Sequence, residues 1–362
     1  GRFGDRFGRT YFRRFGPGVA SSVGVGTYRG EPTDAVDDRY RETVRLALEH
    51  GVNHVDTASN YRCGRSERVV GRVLDRADVA REAVVVASKA GFLPFDERRP
   101  DDPASYVRER FLDTGLVAPD QLARGSHCIA PDYLEWALDR SLERIGVATL
   151  DCYYVHNPEQ QLAARDRDAV YDQLRWAFET LERRRRAGDL WAYGVATWDA
   201  FRVPPDDDRH LDLGRVLRCA RTAAERVAGG TTERDGEPTD HGLRAIQLPF
   251  NVQMADAFTG DYHTHGDERV SALEFAHREN LAVVASAALA GGELAKPDAI
   301  PPAVDRELAG DTPAQRAITF ARSAPAVRCA LVGSTDPDHL RENVAGGTFD
   351  PMGAEQFDRV FA

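Results

Sequence analysis

Four polar residues of this chain have the chemistry of a proton-donating site. Asp56, Lys89 and His156 each stand at the end of a short apolar run, and Tyr61 follows Asp56 by five residues. If the apolar runs are parallel strands of one barrel, all four side chains lie on the same rim, because the carboxyl ends of parallel strands meet there. A carboxylate, an ammonium, an imidazole and a phenol that converge on one rim are suited to the reduction of a carbonyl group.

Apolar runs alternate with amphipathic stretches along the whole chain. Strands are expected near 22–26, 52–56, 83–88, 150–155, 191–195, 244–248, 281–285 and 328–332. Helices are expected near 38–50, 65–75, 131–145, 168–187, 212–228, 268–280, 313–323 and 336–345. This alternation predicts an α/β fold of the (β/α)8 TIM-barrel type. A doubly wound open sheet is the alternative, and the lack of a Gly-x-Gly-x-x-Gly motif after a strand disfavours it.

Two segments are longer than ordinary connections between elements. The first, 92–130, follows the third strand, so it is expected on the catalytic rim, where we interpret it as a lid over the substrate pocket. A surface elaboration or an oligomer contact is the alternative. The second, 226–242, is rich in Gly, Thr and acidic residues and precedes a strand. It is expected as a flexible insertion at the opposite end of the barrel.

The bulk composition limits the classes of protein to consider. The 362 residues suit one domain over 1–362, with a barrel core at about 20–345 and extensions at both ends. A net charge of −11 disfavours a nucleic-acid partner, which needs a basic face. No stretch reaches the ~18 apolar residues of a membrane span, and the first residues lack the apolar segment of a signal peptide.

Cysteine and lysine usage adds two expectations. The five cysteines are scattered and odd in number, a pattern that favours free thiols in a cytoplasmic protein. Cys63 lies two residues after Tyr61, where it is either a reactive thiol or a local substitution. Among 47 basic residues only Lys89 and Lys296 are lysines. A compact ammonium at Lys89 therefore has a specific purpose, because arginine cannot replace it beside a phenol.

The stretch Gly51–Leu74 resembles the signature of the aldo-keto reductase superfamily, with Asp56-Thr57-Ala58, Tyr61, Gly64, Ser66-Glu67, Gly71 and Leu74 in its order. Three more blocks follow in the family's order. They are Leu138–Arg144 with His156-Asn157-Pro158, then Gln247–Asn251, and finally Gly333-Ser334 with Glu342-Asn343. The resemblance covers about Val23 to Asn343 and implies a single barrel that transfers hydride between nicotinamide and a carbonyl compound.

The resemblance also implies a role for each of the four polar residues, and each role has a physical basis. No side chain supplies hydride, so a nicotinamide cofactor is required. Tyr61 is the expected general acid, and the neighbouring Lys89 ammonium is expected to lower its pKa from the ordinary value of about 10. Asp56 would pair with Lys89 and keep it charged. His156 would donate a hydrogen bond to the carbonyl oxygen and orient it.

A cofactor site on the same rim follows from the resemblance. Gly26, Thr27 and Tyr28 match the segment that lines the nicotinamide and the substrate, and Gln247 matches the glutamine that binds the carboxamide. The other positions assigned to the cofactor site are Asp56, Thr197, Ser286, Leu289, Gly291, Gly333, Ser334, Thr335, His339, Glu342 and Asn343. Ser334-Thr335 also open a helix whose free N–H groups suit a phosphate. An ordinary N-cap followed by proline is the other interpretation, and the two are compatible.

Three positions depart from the family pattern. Ala196-Thr197 replaces Ser-Asn, which leaves the carboxamide contact to Thr197. Ser286 replaces the aromatic residue that stacks on the nicotinamide. His339 stands where a basic residue often binds the 2′-phosphate, and Asp336 lies near it. The resemblance implies NADPH as the cofactor. Because a carboxylate repels a phosphate and neutral histidine attracts it less than arginine does, NADH is also possible.

Three functions remain open from the sequence. The first is an oxidoreductase that reduces a small aldehyde or ketone, or runs the reverse oxidation. The second is a nicotinamide-binding regulatory subunit with little turnover. The third, a metal-dependent hydrolase, is disfavoured because His263 and His265 are expected in one loop and no ligand pair stands at strand ends. The expected partner is a small carbonyl compound, no metal is expected, and the barrel is expected as a monomer or small homo-oligomer.

Overall fold

A computed structural model describes residues 10–229 and 240–361. Within these residues the strands β1 to β12 are, in chain order, Phe12–Phe15, Gly18–Ser21, Val23–Gly26, His54–Asp56, Val85–Ala90, Leu150–His156, Leu190–Ala196, Leu243–Pro249, His263–His265, Glu268–Val270, Ala282–Ser286 and Val327–Val332. The helices α1 to α12 are Asp34–Glu49, Arg65–Arg76, Pro103–Val107, Pro131–Ile145, Arg167–Ala187, Leu213–Val227, Asp256–Thr259, Ala272–Arg278, Pro302–Asp305, Pro313–Ser323, Pro337–Ala345 and Ala354–Arg359.

Eight of these strands close into a parallel barrel. Their order around the barrel is β3-β4-β5-β6-β7-β8-β11-β12, and β12 pairs back onto β3. The strands are buried on both faces, as parallel strands covered by helices must be. The predicted (β/α)8 barrel is confirmed, and each of its eight strands lies within two residues of its predicted bounds.

An N-terminal hairpin closes the amino-terminal end of the barrel. Strands β1 and β2 pair in antiparallel register, and the ring of Phe15 reaches the barrel interior, with its centroid 5.5 Å from that of His54. Gly16 makes the turn at a φ of +58°, and a Cβ there would lie 2.0 Å from the Trp191 ring. The sequence analysis expected only an extension here, because a four-residue strand has too little periodicity to detect.

The predicted helix near 268–280 is wrong over its first turn. Strand β10 lies there instead and pairs with β9, and Gly266 at φ +62° makes the turn between them. Helix α8 starts only after Ser271, whose side chain accepts a hydrogen bond from the Glu274 backbone N–H at 3.2 Å. The apolar period of α8 continues into β10, so the sequence pattern alone did not show the boundary.

The segment after β5 is folded against helix α4. Phe111 is buried, and its ring meets the Tyr133 and Trp136 rings edge-on at centroid distances of 6.3 and 5.6 Å. The base of the segment is on the catalytic rim, because the Phe92 ring lies 5.3 Å from that of His156. These contacts describe a packed element rather than an open loop. Of the second long segment, 230–239 falls outside the described residues.

Two further expectations concern the whole described chain. All five cysteines are free thiols, as expected. Among the helices of 10–229 and 240–361, none is both long enough and apolar enough to cross a lipid bilayer.

Candidate active site

The carboxyl ends of three neighbouring strands carry three of the four predicted catalytic residues. Asp56 ends β4, Lys89 is the second-last residue of β5, and His156 ends β6. Tyr61 begins a short 3₁₀ turn just after β4. The structure therefore brings the four residues to one rim. Strand-end positions in the sequence located three of them, and Tyr61 follows the first by five residues.

Lys89 and Asp56 form a buried ion pair. The Lys89 ammonium is fully buried and donates hydrogen bonds to an Asp56 carboxylate oxygen and to the Thr57 carbonyl, the latter at 2.8 Å. The second Asp56 oxygen accepts from Gln247 Nε2 at 2.8 Å. Burial acts to lower the pKa of Lys89, but the Asp56 carboxylate and the Tyr61 phenol outweigh it, so the pKa lies above its ordinary value. Lys89 is therefore a protonated lysine at neutral pH.

The phenol of Tyr61 lies against this ammonium. Lys89 Nζ is 4.9 Å from the centroid of the Tyr61 ring, and the Tyr28 and His156 rings lie 5.0 and 6.0 Å from it. Burial raises the pKa of Tyr61, and the ammonium lowers it by a smaller amount, so the pKa is above its ordinary value. The expected lowering by the ammonium is present, but burial outweighs it. Tyr61 thus keeps its proton at neutral pH, as an acid must.

A buried arginine holds the turn that carries Tyr61, and the sequence analysis did not identify it. Arg62 and Cys63 have φ angles of 49° and 58°, a region that costs about 1–2 kcal/mol for each residue with a side chain. Arg62 forms an ion pair with Asp37 in which both side chains are almost fully buried. Its guanidinium also donates to the Glu31 carbonyl at 3.2 Å. These contacts stabilise a turn that its own backbone conformation disfavours.

Cys63 has the properties of a packed residue rather than a reactive one. Its side chain is buried, and burial raises the pKa of the thiol above its ordinary value. Since the thiolate is the reactive form of cysteine, the geometry favours the local-substitution interpretation.

His156 presents a neutral imidazole to the rim. Burial first, and then the nearby Lys89 and His127, hold the pKa of His156 well below its ordinary value. Its Nδ1 is buried and has no hydrogen-bond partner among the described residues. A neutral ring carries one N–H group, so His156 has the donor that its predicted role requires.

The predicted nicotinamide segment continues from the end of β3, between β4 and β12. The Thr27 backbone N–H donates to the Asp56 carbonyl at 3.2 Å, and Tyr28 is 66% exposed at the rim. Gly26 ends β3 and Gly333 directly follows the neighbouring β12, so closely that a Cβ on Gly333 would lie 2.9 Å from the Gly26 oxygen. This close approach explains glycine at 333 without reference to a ligand.

Thr197 and the segment after β11 line the other side of the rim. The Thr197 hydroxyl is buried and has no hydrogen-bond partner in the described part of the chain. Ser286 and Leu289 are half-buried, and Gly291 is exposed. Arg29, which the sequence analysis did not select, donates to the Gly291 carbonyl at 2.9 Å. This bond joins the loop after β3 to the segment after β11, across the end of the intervening strand β12.

The loop from Ser334 to His339 contains the N-cap followed by proline that the sequence suggested. Asp336 caps helix α11 by accepting from the Asp338 and His339 N–H groups at 2.8 and 3.3 Å, and Pro337 takes the first helical position. The Ser334 hydroxyl accepts from the Asp336 N–H at 3.0 Å. The carboxylate of Asp336 therefore occupies N–H groups that a phosphate would use. Of the other predicted adenosine residues, Thr335 precedes this cap, and Glu342 and Asn343 lie on α11.

Within the described residues, one group of three side chains has the chemistry of metal ligands, namely His210, Asp212 and His263. The ring of His263 is already satisfied, with its Nδ1 3.1 Å from the Leu213 backbone N–H and its Nε2 3.1 Å from the Phe201 carbonyl. We interpret the group as an anchor for the start of α6. His263 and His265 lie on strand β9 rather than in a loop as expected.

The sequence of this chain is similar to that of known proteins. Residues 22–204, just over half of the chain, match the sequence profile of the Aldo/keto reductase family. The chain is 31% identical over 204 residues to a D-threo-aldose 1-dehydrogenase of Pseudomonas sp., a match that covers 54% of this chain and 57% of that protein. The chain thus spans little more than half the length of this curated relative.

Two solved structures share the architecture at low sequence identity. A glycerol dehydrogenase from Gluconobacter oxydans aligns at a TM-score of 0.64 with 19% identity, covering 98% of this chain and 95% of its own. An aldo/keto reductase from Klebsiella pneumoniae, solved with NADP and acetate, aligns at 0.59 with 20% identity, covering 97% and 95%. Together with the profile match over residues 22–204, the closed barrel shows that the chain belongs to the aldo/keto reductase family.

Proposed function

We propose that this protein catalyses the NADPH-dependent reduction of an aldehyde or ketone to an alcohol, or the reverse oxidation, with Tyr61 as the general acid. The observation that carries the proposal is the buried Lys89–Asp56 pair beside the Tyr61 ring. A buried ion pair stabilises a protein only weakly, because both charges lose their water. A role in the chemistry of the rim therefore explains the Lys89–Asp56 pair better than a contribution to folding stability does. The family includes proteins named for this chemistry, among them the aldose dehydrogenase of Pseudomonas.

Each of the four side chains has a separate role in the acid–base chemistry. Tyr61 keeps its proton until a carbonyl oxygen gains electron density, and the Lys89 ammonium then stabilises the phenolate that remains. Asp56 holds Lys89 in place and charged. His156, being neutral, donates a hydrogen bond to the same carbonyl oxygen and orients it toward Tyr61.

The donor set of the rim fits a nicotinamide cofactor, which supplies the hydride when it is bound. The buried Thr197 hydroxyl lacks a partner within 10–229 and 240–361, and it suits a carboxamide. Gln247 gives one N–H to Asp56 and retains amide groups for a ligand. At the adenosine end, the negative charge of Asp336 repels a 2′-phosphate, so NADH is a possible cofactor as well as NADPH. The Klebsiella structure with NADP has the same fold and is the basis for placing NADPH first.

The test is oxidation of NADPH and NADH, followed at the nicotinamide absorbance, with aromatic, aliphatic and sugar aldehydes. Tyr61→Phe should lower kcat/KM by about 10²–10⁴-fold, the usual contribution of a positioned acid, and leave cofactor affinity unchanged. Tyr262→Phe removes a half-buried phenol from the segment between α7 and β9 and is the matched control. Full activity in Tyr61→Phe would refute the assigned acid. Tight cofactor binding without turnover of any carbonyl would instead favour the regulatory alternative.

A further inference from the structure

A second buried histidine lies directly behind His156. His127, near the end of the long segment after β5, is 1% exposed. Its Nε2 is 2.8 Å from the backbone carbonyl oxygen of His156, and its Nδ1 is 2.9 Å from Gln161 Nε2. Gln161 follows β6 in the helical turn Pro158–Ala163 and also donates to the His127 carbonyl at 2.9 Å. His127 thus connects the long segment to the last residue of β6 and to the helical turn that follows β6.

These partners determine where the imidazole of His127 carries its proton. A backbone carbonyl oxygen only accepts, so Nε2 must donate, and Nδ1 is then free to accept from the amide of Gln161. Arg165 donates to the oxygen of that amide at 3.2 Å, which fixes its orientation. Burial lowers the pKa of His127 to about 4, so the ring is neutral at neutral pH. At neutral pH the uncharged ring of His127 therefore donates this hydrogen bond from Nε2 to the His156 carbonyl.

The carbonyl of His156 depends on this donor because strand β5 has already ended. Gly91, the first residue after β5, passes so close that a Cβ on it would lie 2.2 Å from the His156 oxygen and 2.9 Å from His127 Nε2. The Cys128 N–H donates to the Gly91 carbonyl at 2.8 Å, which brings the long segment back to this point. A side-chain donor thus continues the pairing that β5 no longer provides.

The ring of His156 has little else to orient it. Its Nδ1 is buried without a hydrogen-bond partner among the residues described, so no side chain holds the ring from behind. The Phe92 ring meets it edge-on at 5.3 Å and meets the His127 ring at 5.0 Å. The position of the imidazole follows from its backbone and from the Phe92 and Tyr61 rings, and His127 contacts the backbone and Phe92.

We propose that His127 is a positioning residue that fixes the end of β6 so that the imidazole of His156 points into the rim. The proposal rests on the proposed function, in which His156 orients the substrate carbonyl. It also assigns the base of the 92–130 segment a role in aligning the site, separate from any role as a lid. Because a misplacement of about 1 Å can lower a rate about 10²-fold, a lost hydrogen bond here should affect turnover.

The test compares His127→Gln with His127→Asn. The amide nitrogen of glutamine reaches the place of Nε2 and can still donate to the His156 carbonyl, whereas that of asparagine reaches only the place of Nδ1. Gln121→Ala is the matched control, because it removes a 2.9 Å bond to the Ala118 N–H in the same segment without touching His156. We expect kcat to fall at least tenfold in His127→Asn and to stay within about threefold of wild type in the other two variants. Cofactor affinity, measured by fluorescence titration, should not change.

Two results would overturn the proposal: wild-type kcat in His127→Asn, or equal losses of kcat in His127→Asn and His127→Gln. A readout that needs no turnover separates this proposal from the reductase itself. In ¹⁵N-histidine NMR spectra, His127 should be the Nε2-protonated tautomer, and the His156 resonances should shift in His127→Asn and return toward wild type in His127→Gln. If no carbonyl is turned over but these spectra are found, the reductase fails and the positioning stands. An Nδ1-protonated His127 would refute the positioning even in an active enzyme.

Discussion

Replacing Glu159 with glutamine should stabilise the protein increasingly as the pH rises from about 4.5 to about 7. Glu159 is 3% exposed at the rim, and one of its oxygens accepts from the Trp198 and Asp199 N–H groups at 2.9 and 3.3 Å. Its other oxygen is buried without a hydrogen-bond partner among the described residues. A carboxylate in this place has lost most of its water and has gained no cation.

The size of the effect follows from the pKa of this carboxyl. Burial raises the pKa of Glu159 from 4.5 to about 7. The folded protein therefore binds the proton more tightly than the unfolded chain does. The resulting stability is fully present below about pH 4.5 and is lost as the pH rises through about 7. At 1.36 kcal/mol for each pKa unit, the loss is about 3 kcal/mol. Glutamine does not ionise, keeps an oxygen for the two N–H groups, and should not show this loss.

The assay is urea unfolding of the wild type and of Glu159→Gln at several pH values between about 4.5 and 8. The difference in unfolding free energy between the two proteins isolates this carboxyl, because every other titrating group is common to both. It should grow by about 3 kcal/mol over the range, in favour of the variant. Glu355→Gln, at an exposed position, controls for the change in net charge. A difference that stays constant with pH would refute the reasoning.

Three other changes test separate parts of the site. Asp56→Asn leaves the Lys89 ammonium buried without its counter-ion and should lower the free energy of unfolding by about 3–5 kcal/mol, measured in urea; a loss under about 1 kcal/mol would contradict the buried pair. Gly91→Ala places a Cβ against the His156 carbonyl and should cost about 1–3 kcal/mol together with a loss of kcat, whereas an unaffected kcat would show that this contact does not align the site. Asp336→Ser keeps an N-cap for α11 but removes a negative charge, so the affinity for NADPH relative to NADH should rise several-fold in fluorescence titrations, and an unchanged ratio would argue against repulsion there.

The sequence predicted the barrel because parallel strands buried on both faces are continuous apolar runs. Such a run is visible without knowing its neighbours, and a polar residue at its end marks the rim, which is how Asp56, Lys89 and His156 were found. The contacts that support these residues have no comparable local signal. Arg62 meets Asp37 and His127 meets the His156 carbonyl only once the chain has folded, across 25 and 29 residues. In the sequence each is an ordinary polar residue in a loop or helix.

Burial also explains why the pKa of Tyr61 is raised although the Lys89 ammonium lowers it as expected. The ammonium was predictable from the sequence, whereas the loss of water around the phenol is a property of the folded rim. The same loss of water keeps His156 and His127 neutral and raises the pKa of Glu159. Burial thus disfavours every charge at this rim, and a charge persists only where a counter-ion compensates for it, as Asp56 does for Lys89.

The Lys89 ammonium contacts three neighbours from one atom. Lys89 Nζ donates to the Asp56 carboxylate and to the Thr57 carbonyl, and it lies 4.9 Å from the centre of the Tyr61 ring. An ammonium has three N–H groups in a tetrahedral arrangement and can point them at three partners that do not share a plane. A guanidinium is larger, and its five N–H groups lie in one plane, so it cannot make the same contacts from this strand position. Lysine at position 89, in a chain that otherwise uses arginine almost everywhere, is what this geometry requires.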